Sequence, residues 1–139
     1  QELGRTAEAR AAYDASIRAN DRIPETFYRR AMLFMQAGRE DRAIRDLQRA
    51  IRLQENFPEA HYWLGRAHYA QGRLEPALNS FRRAFELNAN YVDAVFFIGL
   101  VSEDLGRTAE AISAYQTVIS IDPNSYFASK ARDQISRLT

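Results

Sequence analysis

A spacing of 34 residues runs through this chain and limits its fold more than any other feature. Gly4, Gly38, Gly72 and Gly106 are each 34 residues apart. Gly65 and Gly99 form a second series, which Ala31 continues backwards. Ala9, Ala43, Ala77 and Ala111 make a third. Tyr13, Leu47, Phe81 and Tyr115 are a large-residue series, and Ser16, Ala50, Ala84 and Val118 a smaller one. Pro24 and Pro58 also match, and the string LGRTAEA stands at both Leu3–Ala9 and Leu105–Ala111. A fixed period of this length marks a repeat architecture, in which each unit buries its apolar face on its neighbours.

One period predicts two helices. Pro58 suits a first helical position, where its missing N–H has no partner to lose. Ala60, Trp63, Leu64 and Ala67 then recur with helical spacing. Gly72 ends that helix in the left-handed conformation. Pro76 falls in the first turn of the next helix, and Ala77, Leu78, Phe81, Ala84, Phe85 and Leu87 line one face of it. No segment alternates with the two-residue period of a strand.

This unit resembles the tetratricopeptide repeat. The matches are Leu64-Gly65, Ala77, Phe81 and Ala84 in one unit, and Ile98-Gly99, Ala111, Tyr115 and Pro123 in the next. Before them come Phe27, Ala31, Phe34, Ala43, Leu47 and Ala50. The resemblance implies an all-α, right-handed α-solenoid of antiparallel helix hairpins. Residues 1–23 are expected to hold the end of a first helix and the second helix of a truncated repeat. Full repeats are expected at 24–57, 58–91 and 92–125, and a C-terminal capping helix at 126–139. Three departures stand out. Arg30 occupies a position that is usually Leu. His61 and His68 replace aromatics. Glu55 and Ala89 stand where a closing Pro is usual. Gly65, Gly99 and Ala31 are expected to let paired helices approach closely.

Composition narrows the chemistry. Nineteen basic and eighteen acidic residues give a net charge of +1, so no general attraction to nucleic acid or anionic membrane is encoded. Eighteen of the basic residues are Arg, and Lys130 is the lone Lys. No stretch reaches the ~20 apolar residues of a membrane span. With no cysteine, disulfides, thiolate metal sites and a Cys nucleophile are ruled out. His61 and His68 share a helix face but lie about 10 Å apart, too far for one metal ion. Phosphate loops and hydrolase motifs are absent from the sequence. The chain reads as a non-enzyme without cofactor or metal. Its start at Gln1, without Met, is read as the edge of an excised fragment.

The family resemblance implies that first helices line a concave surface. The inward positions are then Glu25, Tyr28, Arg29, Met32, Met35 and Gln36; Glu59, Tyr62, Trp63, Arg66, Tyr69 and Ala70; and Asp93, Phe96, Phe97, Leu100, Glu103 and Asp104. Tyr28, Tyr62 and Phe96 are expected to form an aromatic row. Aromatics and Met anchor protein interfaces. The alternative is that the row stacks on the next repeat. The Lys, Asn and Arg clamp of the family's chaperone-tail receptors is not matched, nor is the asparagine ladder of its glycosyltransferase arrays.

Residues 24–57 carry seven Arg against five acids, and residues 92–125 one Arg against five acids. A ligand with apolar anchors and matching charges would suit this polarity. Arg42, Arg45, Arg49 and Arg52 form a stripe on a second helix, with Asp41–Arg45 and Arg42–Asp46 expected as helix-supporting pairs. The expected role is a scaffold holding a peptide or helix of a partner protein. A second expectation is an assembly module: apolar surface near Leu3, Ala12 and Ile17 would self-associate or take a partner helix. A third is a docking or regulatory segment of a larger enzyme.

Overall fold

The computed structural model describes residues 2–139, with side chains from residue 4 onward. They form α1 (Glu2–Ala19), α2 (Pro24–Gln36), α3 (Glu40–Leu53), α4 (Pro58–Ala70), α5 (Leu74–Leu87), α6 (Val92–Asp104), α7 (Thr108–Ile121) and α8 (Tyr126–Leu138). There is no strand among the described residues. Each helix packs mainly on the next in sequence, and α6 also touches α8. The result is an all-α helical repeat solenoid, in which cohesion runs between neighbours.

The turns explain the glycine series. Gly38, Gly72 and Gly106 have φ of 72°, 74° and 78°, in the left-handed region where a Cβ is unfavourable. The same two hydrogen bonds close each turn. Gly38 donates to the carbonyl of Met35 and Arg39 to that of Phe34; Gly72 to Tyr69 and Arg73 to His68; Gly106 to Glu103 and Arg107 to Ser102. This is the Schellman arrangement, which satisfies carbonyls that a helix end leaves open. Gly4 departs from its series. It lies inside α1, which runs unbroken from Glu2, so the expected helix end followed by a second helix is replaced by one helix.

The other glycines act by their small size. A Cβ on Gly65 would lie 2.7–2.9 Å from the Phe81 ring, and one on Gly99 would run into the Tyr115 ring. Ala31 and Leu47 occupy the same places one repeat earlier, and both are fully buried. The core is a run of three clusters along the array. In α8, Ala128 and Ala131 are buried, while Phe127, Ile135 and Leu138 pack on the last cluster. Ser125 caps this helix, its hydroxyl accepting from the Ala128 N–H at 3.0 Å.

Arg30, at the position that is usually Leu, is held by two carboxylates. Its Nε and Nη2 donate to the two carboxylate oxygens of Asp46, each at 2.7 Å, and its Nη1 donates to Asp14 at 2.9 Å. The triad ties α1, α2 and α3 together and holds the Arg30 guanidinium well above its usual pKa, chiefly through the Asp46 hydrogen bonds. Asp46 is therefore engaged by Arg30, and the expected Arg42–Asp46 pair does not form; Asp41–Arg45 does, at 4.0 Å. Arg42 and Arg49 instead lie over the Phe34 and Phe27 rings. Ile17 packs on the first core cluster and Ala12 is exposed; the Leu3 side chain lies outside the described residues.

Candidate functional site

The inward positions of α2, α4 and α6 divide into three groups. Tyr62 and Phe96 are buried, with 4% and 8% of their surface exposed, so the expected open aromatic row is corrected at these two positions. The reason is a contact repeated along the array. Tyr28 meets Phe57 at 5.0 Å between ring centroids, Tyr62 meets Tyr91 at 5.1 Å, and Phe96 meets Phe127 at 5.0 Å. Interplanar angles of 41°, 36° and 41° make these three versions of one tilted packing. It joins each first helix to the segment that opens the next. Burial raises the pKa of Tyr28, Tyr62 and Tyr91, so these phenols stay neutral.

Glu103 forms the second group. It accepts from the Tyr115 hydroxyl, from Arg137 and, at 2.8 Å, from Gln134. It is thus a tie between α6, α7 and α8, so the expected inward-facing Glu103 is taken up by the fold. Burial pushes its pKa up, but the Tyr115 and Arg137 hydrogen bonds outweigh this and hold it below the usual value.

The third group is accessible. Glu25, Arg29, Gln36, Glu59, Ala70 and Asp104 are exposed, and Tyr28, Met32, Met35, Trp63, Arg66, Tyr69, Asp93, Phe97 and Leu100 are half-buried. Glu25 and Arg29 pair with each other at 3.0 Å. Tyr69 donates to Asp104 at 2.6 Å, and burial with this carboxylate pushes its phenol to about 12.

Arg66 is the central feature. Its guanidinium lies 4.6 Å from the Phe97 centroid, 5.0 Å from Trp63 and 5.8 Å from Tyr62, and donates to the Tyr62 hydroxyl at 2.9 Å. Aromatic faces attract such a cation and fix its plane. It forms no carboxylate ion pair among the described residues, whereas Arg29, Arg30, Arg83, Arg107 and Arg137 all do. Its remaining N–H groups are thus available at the centre of an apolar strip.

Sequence reasoning missed the part played by α8 in this surface. A cleft of about 390 Å³ lies between α6 and α8, lined by Phe96, Leu100, Tyr126, Phe127, Lys130, Asp133 and Gln134. Tyr126 is 69% exposed, with the Lys130 ammonium 5.5 Å from its ring centroid. The signal was available: one more 34-residue step carries the inward positions onto Phe127, Lys130 and Gln134.

The two histidines belong to the packing. His61 is 7% exposed and its Nε2 lies 3.2 Å from the Glu55 carbonyl. Burial lowers the pKa of both His61 and His68. No group of three or more His, Asp or Glu among the described residues is placed to hold a metal ion. None of the described helices is long and apolar enough to cross a membrane.

Fold and surface together define a helical-repeat protein with an aromatic, Arg-bearing inner face. The family comparisons agree: one model described as TPR repeat matches residues 31–72, and two described as tetratricopeptide repeat match 58–91 and 75–126. The chain belongs to the tetratricopeptide repeat family. Among solved structures it is similar to MamA, with 28% identity over 99% of this chain and 86% of that one, and a TM-score of 0.85. YrrB, described as a TPR protein with an unusual peptide-binding site, shares the fold at 24% identity. That match covers 94% of this chain and 68% of that one, with a TM-score of 0.83. The first TPR of Spaghetti (RPAP3), bound to the HSP90 peptide SRMEEVD, shares it at 18% identity. It covers 83% of this chain and 89% of that one, with a TM-score of 0.77. No curated protein sequence matches the chain.

Proposed function

We propose that this protein is a non-enzymatic scaffold that holds a segment of a partner protein along the inner face of α2, α4, α6 and α8. The observation that carries this reading is Arg66, framed by Trp63, Phe97 and Tyr62 and without a carboxylate of its own. A guanidinium fixed on aromatic rings is suited to a ligand carboxylate, and a partly dry surroundings strengthens that bond. Met32, Met35, Trp63, Phe97 and Leu100 supply apolar contact around it. The ligand is then a segment with an acidic group flanked by apolar side chains. Two neighbours of the same fold are described as peptide binders, which supports the class of function and names no ligand for this chain.

The test is capture of partners from the source organism by the wild type, Trp63→Ala and Arg66→Gln, with circular dichroism and light scattering as controls. Tyr62 is unsuitable as a probe because its removal opens the core. A protein held by the wild type and lost by both folded variants supports the scaffold. Equal capture by all three, or none, removes the support for this face.

A further inference from the structure

The arginines of this chain are gathered at one place away from the inner face. A cleft of about 550 Å³ opens between α1 and α3 over α2. Arg10 and Arg18 on α1, Arg30 on α2, and Arg42 and Arg45 on α3 all line it. Arg30 takes up Asp14 and Asp46, the two carboxylates of the cleft. The other four arginines are exposed. Arg10, Arg18 and Arg42 form no ion pair among the described residues, and Arg45 reaches Asp41 only at 4.0 Å. The cleft therefore carries positive charge that the fold leaves uncompensated.

The cleft is a regular feature of the array, but its charge is not. It recurs between α5 and α7, where α5 packs on both α4 and α6. There, two repeats on, the five arginine positions hold Leu78, Glu86, Ile98, Glu110 and Ser113. One repeat on, they hold Ile44, Arg52, Leu64, Pro76 and Asn79. A general abundance of Arg would fill these positions as well. Neither Arg30 nor Phe34, the α2 residues of the cleft, is an inward position, so this surface is separate from the one that carries Arg66.

We propose that the α1–α3 cleft binds an acidic segment of a partner protein, at a second site beyond the inner face. Arg10 and Arg18 stand eight residues apart on α1, about 12 Å along its axis, so the positive charge is drawn out along the cleft. Ile17 and Phe34 place apolar surface among the guanidinium groups. The Phe34 ring holds Arg42 5.9 Å from its centroid, which orients that guanidinium before a ligand arrives. This pattern matches a chain that carries carboxylates with an apolar side chain between them. A compact polyanion would leave Ile17 unused. Guanidinium and carboxylate pair through two parallel hydrogen bonds, the geometry that Arg30 and Asp46 already adopt here. The volume falls within the range of ligand sites.

The experiment titrates the chain with a short labelled peptide of alternating glutamate and leucine and follows fluorescence anisotropy. We expect saturable binding that weakens with added salt. Arg18→Glu with Arg42→Glu installs the residues of the α5–α7 cleft at two exposed positions, and circular dichroism checks that the fold is kept. This double variant should lower the affinity about tenfold or more, while Arg66→Gln should leave it unchanged. A lysine–leucine peptide should not bind. Absence of binding, or equal affinity in the folded double variant, overturns the proposal. Loss of binding in Arg66→Gln alone overturns it too, by moving the peptide to the inner face. Inorganic tripolyphosphate binding more tightly than the peptide assigns the cleft to a free polyanion instead. Self-association in light scattering that the double variant abolishes assigns it to a second copy.

Discussion

Arg30 on α2 grips Asp46 on α3 through two parallel hydrogen bonds of 2.7 Å, at a position where the next two repeats carry Leu64 and Ile98. Asp46 is 5% exposed. Removing Arg30 strands this buried carboxylate, so Arg30→Leu should cost about 3–5 kcal/mol. Replacing both restores the apolar solution of the other repeats. Arg30→Leu with Asp46→Ala should therefore recover most of that loss, with Asp14 left to solvent. Urea denaturation of the two single variants and the double variant measures the coupling; additive losses would contradict it.

Gly65 and Phe81 give a second paired test. Gly65→Ala puts a methyl at 2.7 Å from a packed ring and should cost about 1–3 kcal/mol. Gly65→Leu should prevent folding of this repeat. Adding Phe81→Leu to Gly65→Ala recreates the Ala31–Leu47 pair, and the double variant should melt above Gly65→Ala alone. If Phe81→Leu deepens the loss instead, the correspondence between the two repeats is wrong.

His61 and His68 predict a pH dependence. Burial lowers both pKa values below the unfolded value of about 6.5, so the unfolded chain binds the extra protons. The contribution of each neutral ring is full above about pH 6.5 and is lost as pH falls below it. The urea midpoint should drop between pH 7.5 and 5.5. Replacing them with the aromatics of the first repeat, His61→Phe and His68→Phe, should flatten that slope. An equal slope in the variant would place the sensitivity elsewhere.

Glu103 holds the last helix. Loss of its carboxylate should leave Tyr115, Gln134 and Arg137 without their shared acceptor, at a cost of about 1–3 kcal/mol for Glu103→Ala. Hydrogen exchange should quicken in α8 well before α3 or α5, because the array is cohesive only between neighbours. Uniform loss of protection along the chain would refute a local tie.

Much of the architecture was legible because it depends on residues with few alternatives. A glycine 34 residues from another glycine is readable when each needs the same turn, as Gly38, Gly72 and Gly106 do. Gly65 and Gly99 were readable as close contacts because a large residue recurs at a fixed distance after each. The inner face was legible as a set of positions, but not as a surface. Tyr62 and Trp63 are adjacent and both aromatic, yet Tyr62 is buried by Tyr91 and Phe81 while Trp63 stays half-open beneath Arg66.

The sequence by itself determined the period, the helical pairs and the turns between them, since these follow from backbone freedom and side-chain size within about 34 residues. Tertiary structure decided the partners. Asp46 pairs with Arg30, 16 residues away, instead of Arg42 four residues away. Glu103 is taken up by residues 12, 31 and 34 positions distant. In each case the local alternatives lie close in energy, and the neighbour that packs against the segment supplies the difference.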